Sequence, residues 1–297
     1  MRVAAIDCGT NSLRLLVRDG DHDLHREMRI VRLGQDVDRT GRLAPEALER
    51  TRAALVDYAA IIADLGAERI RLVATSATRD ADNRDDFVAM VRASLGVDPE
   101  VVTGLDEARL SYSGAVGTLP GVTGSVLLID LGGGSTELVL GPEPLRAHSM
   151  DVGSVRMTER HLRDDPPTRA QVDAVVRDVN LALDEANRHV PWQEAEQLVG
   201  VAGTITTVAA VALGLDRYQP EVVHGARLGA DVVAGVADRL LALDHDARAA
   251  LGAIHPGRVD VIAAGALVLR TVVERCGAGE LIVSEHDILD GIALSIS

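Results

Sequence analysis

The sequence predicts a duplicated α/β fold, and three observations carry the prediction. Residues 126–140 read Val-Leu-Leu-Ile-Asp-Leu-Gly-Gly-Gly-Ser-Thr-Glu-Leu-Val-Leu: an apolar run ending in Asp130, a three-glycine turn and a second apolar run. The same pattern stands at residues 3–17, with Asp7 and Asp130, Gly9 and Gly132, and Ser12 and Ser135 each 123 positions apart. Val3/Val126, Ile6/Ile129 and Leu15/Leu138 are identical at the same offset, with no gap between the copies. Along the rest of the chain, strand-length apolar runs alternate with stretches at helical spacing, the pattern of a sheet covered by helices. One glycine-rich hairpin is an ordinary tight turn. Two in register, each with Asp at the same place, point to two related domains with a cleft between the halves. A length of 297 residues agrees with two domains of about 100–200 residues each. The boundary is placed in the Gly-, Pro- and Thr-rich stretch 117–124, giving domains 1–122 and 123–297, the last helix free to pack back on the first domain.

Taken in order, the first hairpin is followed by an expected strand over Met28–Leu33 and a polar loop over Gly34–Arg42. Pro45 opens a helix, where its missing N–H costs nothing. Leu48, Thr51, Leu55, Tyr58, Ile62 and Leu65 recur at helical spacing up to Gly66. A short buried strand over Ile70–Thr75 enters the small polar residues 75–83, and a helix follows around Phe87–Leu95. Val101–Thr103 reads as a strand and Asp106–Val116 as a helix. After the second hairpin come a strand over Leu145–Met150, a turn through 151–156 into a helix, and a long helix from Thr168 to Asn187. Leu198–Ala202 is a strand that enters a third glycine turn at Gly203-Thr204 and an alanine-rich helix. Helical periods then cover Val232–Leu243, Arg258–Glu274 and Asp287–Leu294, with a final strand over Leu281–Ser284.

Composition narrows the function. Hydrophobic content of 47% supplies two cores, and with aromatics at only 2% those cores must be built from Val, Leu, Ile and Ala. No apolar run reaches the ~18 residues of a membrane span, and the N-terminus enters a strand pattern without a basic region. A cytoplasmic protein that does not engage membranes is expected. A formal net charge of −15 argues against nucleic acid, whose binding rests on many cationic phosphate contacts. Local clusters still leave room for a smaller polyanion. Cys8 and Cys276 have no metal-binding spacing and are read as packing residues. All 30 basic residues are arginine. That excludes a Walker-type loop, a pyridoxal Schiff base and a lysine nucleophile, and leaves guanidinium forks as the cationic contacts to phosphate.

The glycine turns suggest phosphate chemistry. Glycine lets several backbone N–H groups point into one small space, as a chain does when it wraps a phosphate. Asp130 at the strand end and Glu137 just past the turn are carboxylates suited to a Mg²⁺ that accompanies phosphate.

The two hairpins and the Gly203-Thr204 turn resemble the actin/hexokinase/Hsp70 superfamily. Within it, Thr75-Ser76-Ala77-Thr78-Arg79 with Asn83, Gly104-Leu105-Asp106-Glu107-Ala108-Arg109-Leu110 and Asp130–Glu137 resemble the exopolyphosphatase/guanosine pentaphosphate phosphohydrolase (Ppx/GppA) family. Gly153-Ser154-Val155-Arg156, Val223-His224-Gly225 and Arg258-Val259-Asp260 extend the resemblance over nearly the whole chain. It implies two actin-like, ribonuclease H-like α/β domains and an exopolyphosphatase acting on inorganic polyphosphate. Guanosine pentaphosphate is the alternative substrate, and a homodimer is implied. Longer members carry an extra C-terminal helical region that this sequence does not show, which points to short or medium polyphosphates. The family's arginine before an acidic residue and glycine is replaced here by Leu289 in Ile288-Leu289-Asp290-Gly291, and Asp106-Glu107 stands where many members have two glutamates.

The resemblance assigns roles. Gly9, Thr10, Asn11 and Ser12, with Gly132, Gly133, Gly134, Ser135 and Thr136, are the phosphate cradles. Asp7, Asp130 and Glu137 hold Mg²⁺, with Mn²⁺ as the alternative ion. Glu107 is the catalytic base and Arg79 neutralises the terminal phosphate. Position alone makes Glu107 a carboxylate favoured by a helix start, and Arg79 a loop charge for Asp80 or Asp82. Asn83 is a helix cap or a ligand, and Arg156 a phosphate clamp or a surface ion pair. Gly203 contacts phosphate or allows close strand–helix packing, and His224 is a hydrogen-bonded loop residue. Other classes remain beside the hydrolase: a kinase, which needs an adenosine site and an acceptor pocket, and a polyphosphate or nucleotide sensor without turnover.

Overall fold

The computed structural model describes residues 1–297, and the chain forms two compact units, Met1–Gly114 with Ile288–Ser297, and Ala115–Asp287. The first unit opens with strands β1 (Arg2–Cys8), β2 (Ser12–Asp19) and β3 (His22–Ile30). Helices α1 (Val37–Thr40) and α2 (Pro45–Leu65), strand β4 (Arg69–Ala74), helices α3 (Ser76–Asp80) and α4 (Arg84–Leu95), strand β5 (Glu100–Val101) and helix α5 (Gly104–Ala115) follow. The sheet order is β3-β2-β1-β4-β5; β1 runs antiparallel to β2 and parallel to β4.

The second unit contains β6 (Val126–Leu131), β7 (Thr136–Gly141), β8 (Arg146–Met150), α6 (Ser154–His161), α7 (Arg169–His189), β9 (Gln197–Val201) and α8 (Ala202–Ala212). It continues through α9 (Pro220–Val223), β10 (Arg227–Gly229), α10 (Ala230–Ala242), α11 (His245–Ala249), α12 (Ile262–Cys276) and β11 (Glu280–Val283). Helix α13 (Ile288–Leu294) then belongs to the first unit. The second sheet has the order β10-β11-β9-β6-β7-β8. Read from β8, it repeats the plan of the first: an antiparallel three-strand meander, then a parallel strand reached by a crossover. This is the duplicated α/β architecture expected of actin-like domains.

Local chemistry sets the element ends. Pro45 stands in the first turn of α2, and Gly66 ends it at φ 65, its N–H returning to Ala63 and Ile62 carbonyls. A capping box of Thr168 and Gln171 starts α7. Helix α12 is buried on nearly all sides, from Ile262 to Val273, so its sequence is apolar all round rather than amphipathic. No helix is long and apolar enough to cross a membrane.

Several boundaries differ from expectation for physical reasons. Strand β3 lies at His22–Ile30 rather than Met28–Leu33, because its cross-strand pairing with β2 decides its extent and its polar edge carries no apolar period. The expected loops contain the short helices α1 and α3. Gly203-Thr204 is no turn: it forms the first turn of α8, which begins directly after β9 at Ala202, held at φ 72. The units part at Gly114/Ala115, where α5 ends, not at 122/123 after the breaker-rich stretch.

In the first unit Tyr58 is fully buried against Leu55, Ile62 and Phe87, and its hydroxyl donates to the Leu13 carbonyl at 3.0 Å. Burial, then the nearby Glu27 charge, holds its phenol well above the ordinary range, so it remains a donor. Tyr58→Phe removes that donor and is expected to cost about 1 kcal/mol, read as an earlier urea midpoint with an unchanged slope.

Candidate active site

Each unit carries one glycine loop between the first two strands of its sheet, and both loops are held by their carbonyls. In the second, Gly132 N–H closes the turn on Ser135 O at 3.0 Å. Gly132 O accepts from Ser154 N at 3.0 Å, and Gly133 O accepts from Val155 N at 2.8 Å and Arg156 N at 3.1 Å. Gly134 O accepts from Arg156 Nε at 2.7 Å. The first turn of α6 therefore spends its orphan N–H groups on the loop carbonyls. The N–H groups of Gly133, Gly134 and Ser135 take no part in the backbone hydrogen bonding of the fold. Successive N–H groups in a glycine turn form an anion-binding concavity. Gly153 is what permits the approach: a Cβ there would lie 2.5 Å from Gly133 O and 2.8 Å from Gly134 C. Thr136, a fully buried residue of the expected cradle, donates its hydroxyl to Val152 O at 2.6 Å and so fastens the loop rather than facing a ligand.

The first loop uses another segment in the same way. Gly9 N–H bonds Ser12 O at 3.0 Å, Thr10 O accepts from Gly34 N at 2.8 Å, and Asn11 O accepts from Val31 N and Arg32 N at 3.1 and 2.9 Å. A Cβ at Gly34 would meet Thr10 Cγ2 at 2.3 Å. The Thr10 and Ser76 hydroxyls lie 3.0 Å apart in the interior. Cys8, just before this loop, is buried; burial and then the Asp7 charge raise its thiol far above the ordinary value, so it packs and does not act as a thiolate.

Carboxylates at the strand ends have contrasting neighbours. Asp7 stands directly opposite Arg14 in the β1–β2 register, and its Oδ2 accepts from Arg14 Nε and Nη2 at 2.9 and 2.7 Å. At the equivalent place in the second unit, Asp130 stands opposite Glu137. Both are buried, at 6% and 1% exposure. Ser149 Oγ donates to Glu137 Oε1 at 2.6 Å. Like charges directly opposite in a sheet destabilise it, and two hard oxygen donors on one face are the donor set Mg²⁺ takes. No three of the chain's His, Cys, Asp and Glu side chains are grouped closely enough to enclose a metal. Of the three residues expected to hold it, Asp130 and Glu137 form the acidic pair, while Asp7 is neutralised by Arg14.

Glu107 and Arg79 come together in the first unit. The α5 cap is supplied by Thr103, whose Oγ1 accepts from Asp106 N at 3.2 Å and donates to Asp106 Oδ2 at 2.7 Å. Asp106 thus takes the capping function, and Glu107 lies one residue further round, 7% exposed. Its Oε2 accepts from Arg79 Nη1 at 3.0 Å, and the same nitrogen donates to Val102 O at 3.0 Å. The partner of Arg79 is Glu107, not Asp80 or Asp82.

Other expected residues have structural duties. Arg156 holds the glycine loop through Nε, and its Nη2 also stands 4.0 Å from Asp151 Oδ1, a long ion pair at the surface. Gly203 is required by Arg258, whose guanidinium would lie 2.1 Å from a Cβ there and donates to Gly203 O at 3.0 Å and Thr207 Oγ1 at 3.3 Å. Asn83 bonds both backbone groups of Leu43 through its side chain and makes no side-chain cap. His224 Nδ1 accepts from Glu285 N at 3.2 Å. Sequence reasoning missed Arg14, Ser149 and Gly153. Arg14 was findable: it stands 123 positions before Glu137, so the duplication already marked it as a cross-strand neighbour of Asp7.

The loops, the acidic pair and the Glu107–Arg79 pair are the parts from which phosphoryl chemistry is built. The chain matches the Ppx/GppA phosphatase family over residues 16–297 and belongs to that family. It is 51% identical over 315 residues to Exopolyphosphatase 2 of Mycobacterium tuberculosis, in an alignment covering 100% of this chain and 98% of that protein. The crystal structure of an exopolyphosphatase-like protein superposes with a TM-score of 0.97 at 44% identity, covering 100% of this chain and 98% of that one. The Aquifex aeolicus PPX-GPPA enzyme gives 0.82 at 32% identity, covering 99% of each.

Gly153→Ala is expected to push the Gly133–Gly134 peptide out of line. Losing one charge-assisted N–H contact, roughly 1.5 kcal/mol, lowers affinity for pyrophosphate about tenfold by titration calorimetry, with the far-UV circular dichroism unchanged.

Proposed function

We propose that the protein is an exopolyphosphatase that hydrolyses the terminal phosphate of inorganic polyphosphate. The observation that carries this reading is the loop 132–135, whose carbonyls are all engaged while three successive N–H groups are left over by the fold. A polyanion without base or sugar needs such contacts and little else. The likeness to Exopolyphosphatase 2 over the full chain supports the same substrate.

Phosphoryl transfer calls mainly for positioning and charge neutralisation. The N–H groups of Gly133, Gly134 and Ser135 hold phosphate oxygens. Mg²⁺, or Mn²⁺ in its place, supplies neutralisation of phosphate charge when held by Asp130 and Glu137. Glu107 orients a water molecule and takes its proton as the oxygen bonds to the terminal phosphorus. The bridging P–O bond breaks, the shortened chain leaves with the bond electrons, and orthophosphate is released. Arg79 fixes the Glu107 carboxylate through Oε2, and its guanidinium neutralises the terminal phosphate. A homodimer is part of the same proposal and is checked by sedimentation equilibrium.

The test is phosphate release by the purified protein beside Glu107→Gln, which keeps the size and removes the base. Short polyphosphate, long polyphosphate, guanosine pentaphosphate and ATP are compared. The expected result is release from polyphosphate, abolished by chelator, restored by Mg²⁺, and about 10²-fold slower in the variant. A higher kcat/KM on guanosine pentaphosphate moves the assignment to the nucleotide phosphohydrolase. Binding of polyphosphate with no release from any substrate would falsify hydrolysis and leave a sensor.

A further inference from the structure

Helix α13 returns to the first unit after the whole of the second has been traversed, and its packing leads to Glu107. Ile288, Leu289, Ile292 and Ala293 are buried with Ala5, Leu16, Val73 and Val102, and Leu110 of α5 packs on the same cluster. Gly291 faces α5 so closely that a Cβ would stand 2.0 Å from Leu110 O and 3.0 Å from Ser113 Oγ. The α5 backbone therefore rests on α13 one turn below Glu107. Val102, in the same cluster, offers the carbonyl that anchors Arg79.

The neighbouring residue fixes α13 from its other side. Asp290 is 1% exposed. Its Oδ1 accepts from Arg18 Nη2 at 3.0 Å and Arg26 Nη2 at 2.6 Å, and its Oδ2 from Arg26 Nη1 at 3.3 Å. Asp23 bonds both guanidinium groups as well. A buried carboxylate with two guanidinium partners holds its helix in one place, because any shift leaves a charge without its partner in the interior.

We infer that α13 is a strut for the catalytic helix, and that Asp290 and Gly291 are positioning residues acting on turnover through Glu107. Asp290 pins α13 to β2 and β3; Gly291 lets α13 bear on α5; α5 then holds Glu107 in register with Arg79. The inference rests on Glu107 being the base. A displacement of about 1 Å at a catalytic group costs on the order of 10²-fold in rate, so a partial loosening is expected to cost about tenfold.

Two variants and one combination test it. Asp290→Asn keeps the shape and leaves Asp23 to both arginines; Gly291→Ala forces α13 away from Leu110. Each is expected to lower kcat about tenfold with KM changed less than twofold, and to speed amide hydrogen exchange in residues 104–115. In a Glu107→Gln background, Asp290→Asn is expected to cost nothing further, since residues acting as a unit are not additive. Full additivity there, or exchange in 104–115 as slow as in the wild type, overturns the strut. Should Gly291→Ala fail to fold, Asp290→Asn alone decides. Undiminished turnover in Glu107→Gln by itself removes the base assignment, while the exchange measurement still reports on the strut.

Discussion

The site depends on one constraint: the carbonyls of each glycine loop must be held so that its amides point the other way. A peptide unit carries its N–H and C=O on opposite sides, so fixing the carbonyls aims the donors. In the second unit the first turn of α6 does this with Ser154, Val155 and the Arg156 side chain. In the first unit the segment Val31–Gly34 does it without a helix. Two different supports for the same loop show that the duplication preserved the turn and not its scaffold.

Charge follows the same line of divergence. The aspartate at the end of each unit's first strand faces an arginine in one unit and a glutamate in the other, at matched positions. The first pairing is internally neutral and rigid. The second sets two buried carboxylates directly opposite each other, a pairing that like-charge repulsion disfavours unless neighbouring groups offset it. Arg79 and Glu107 repeat the neutral solution elsewhere in the first unit.

Much of this was legible in the sequence, because the strongest features are local. The repeat at 123 positions, the apolar runs before Asp7 and Asp130, and the glycine turns needed no tertiary knowledge, and the two matching sheets follow from them. What the sequence did not reveal depends on approach between distant segments. Gly153 is an ordinary glycine until the Gly133–Gly134 backbone lies against it, and Gly34 until the Thr10 and Ala77 side chains do. Gly203 read as a turn from its glycine alone, and the guanidinium of Arg258 that lies over it comes from far along the chain. Asp290 read only as the acidic residue after Leu289, where the family pattern is broken, and its two arginines are on strands more than 250 residues away.

The discontinuity of the first unit bears on the order in which the protein can form as it is synthesised. Its sheet is complete once Val101 has emerged, but Ala5, Leu16, Val73 and Val102 gain the cover of α13, beside Leu110 of α5, only after the second unit has been made. The second unit, Ala115–Asp287, is continuous and holds its own core throughout. Domains generally fold as units during synthesis, so the second unit can be native while the first still has an open apolar face. Leu110 of α5, one helical turn past Glu107, meets Gly291 only once the chain has passed through the second unit and formed α13.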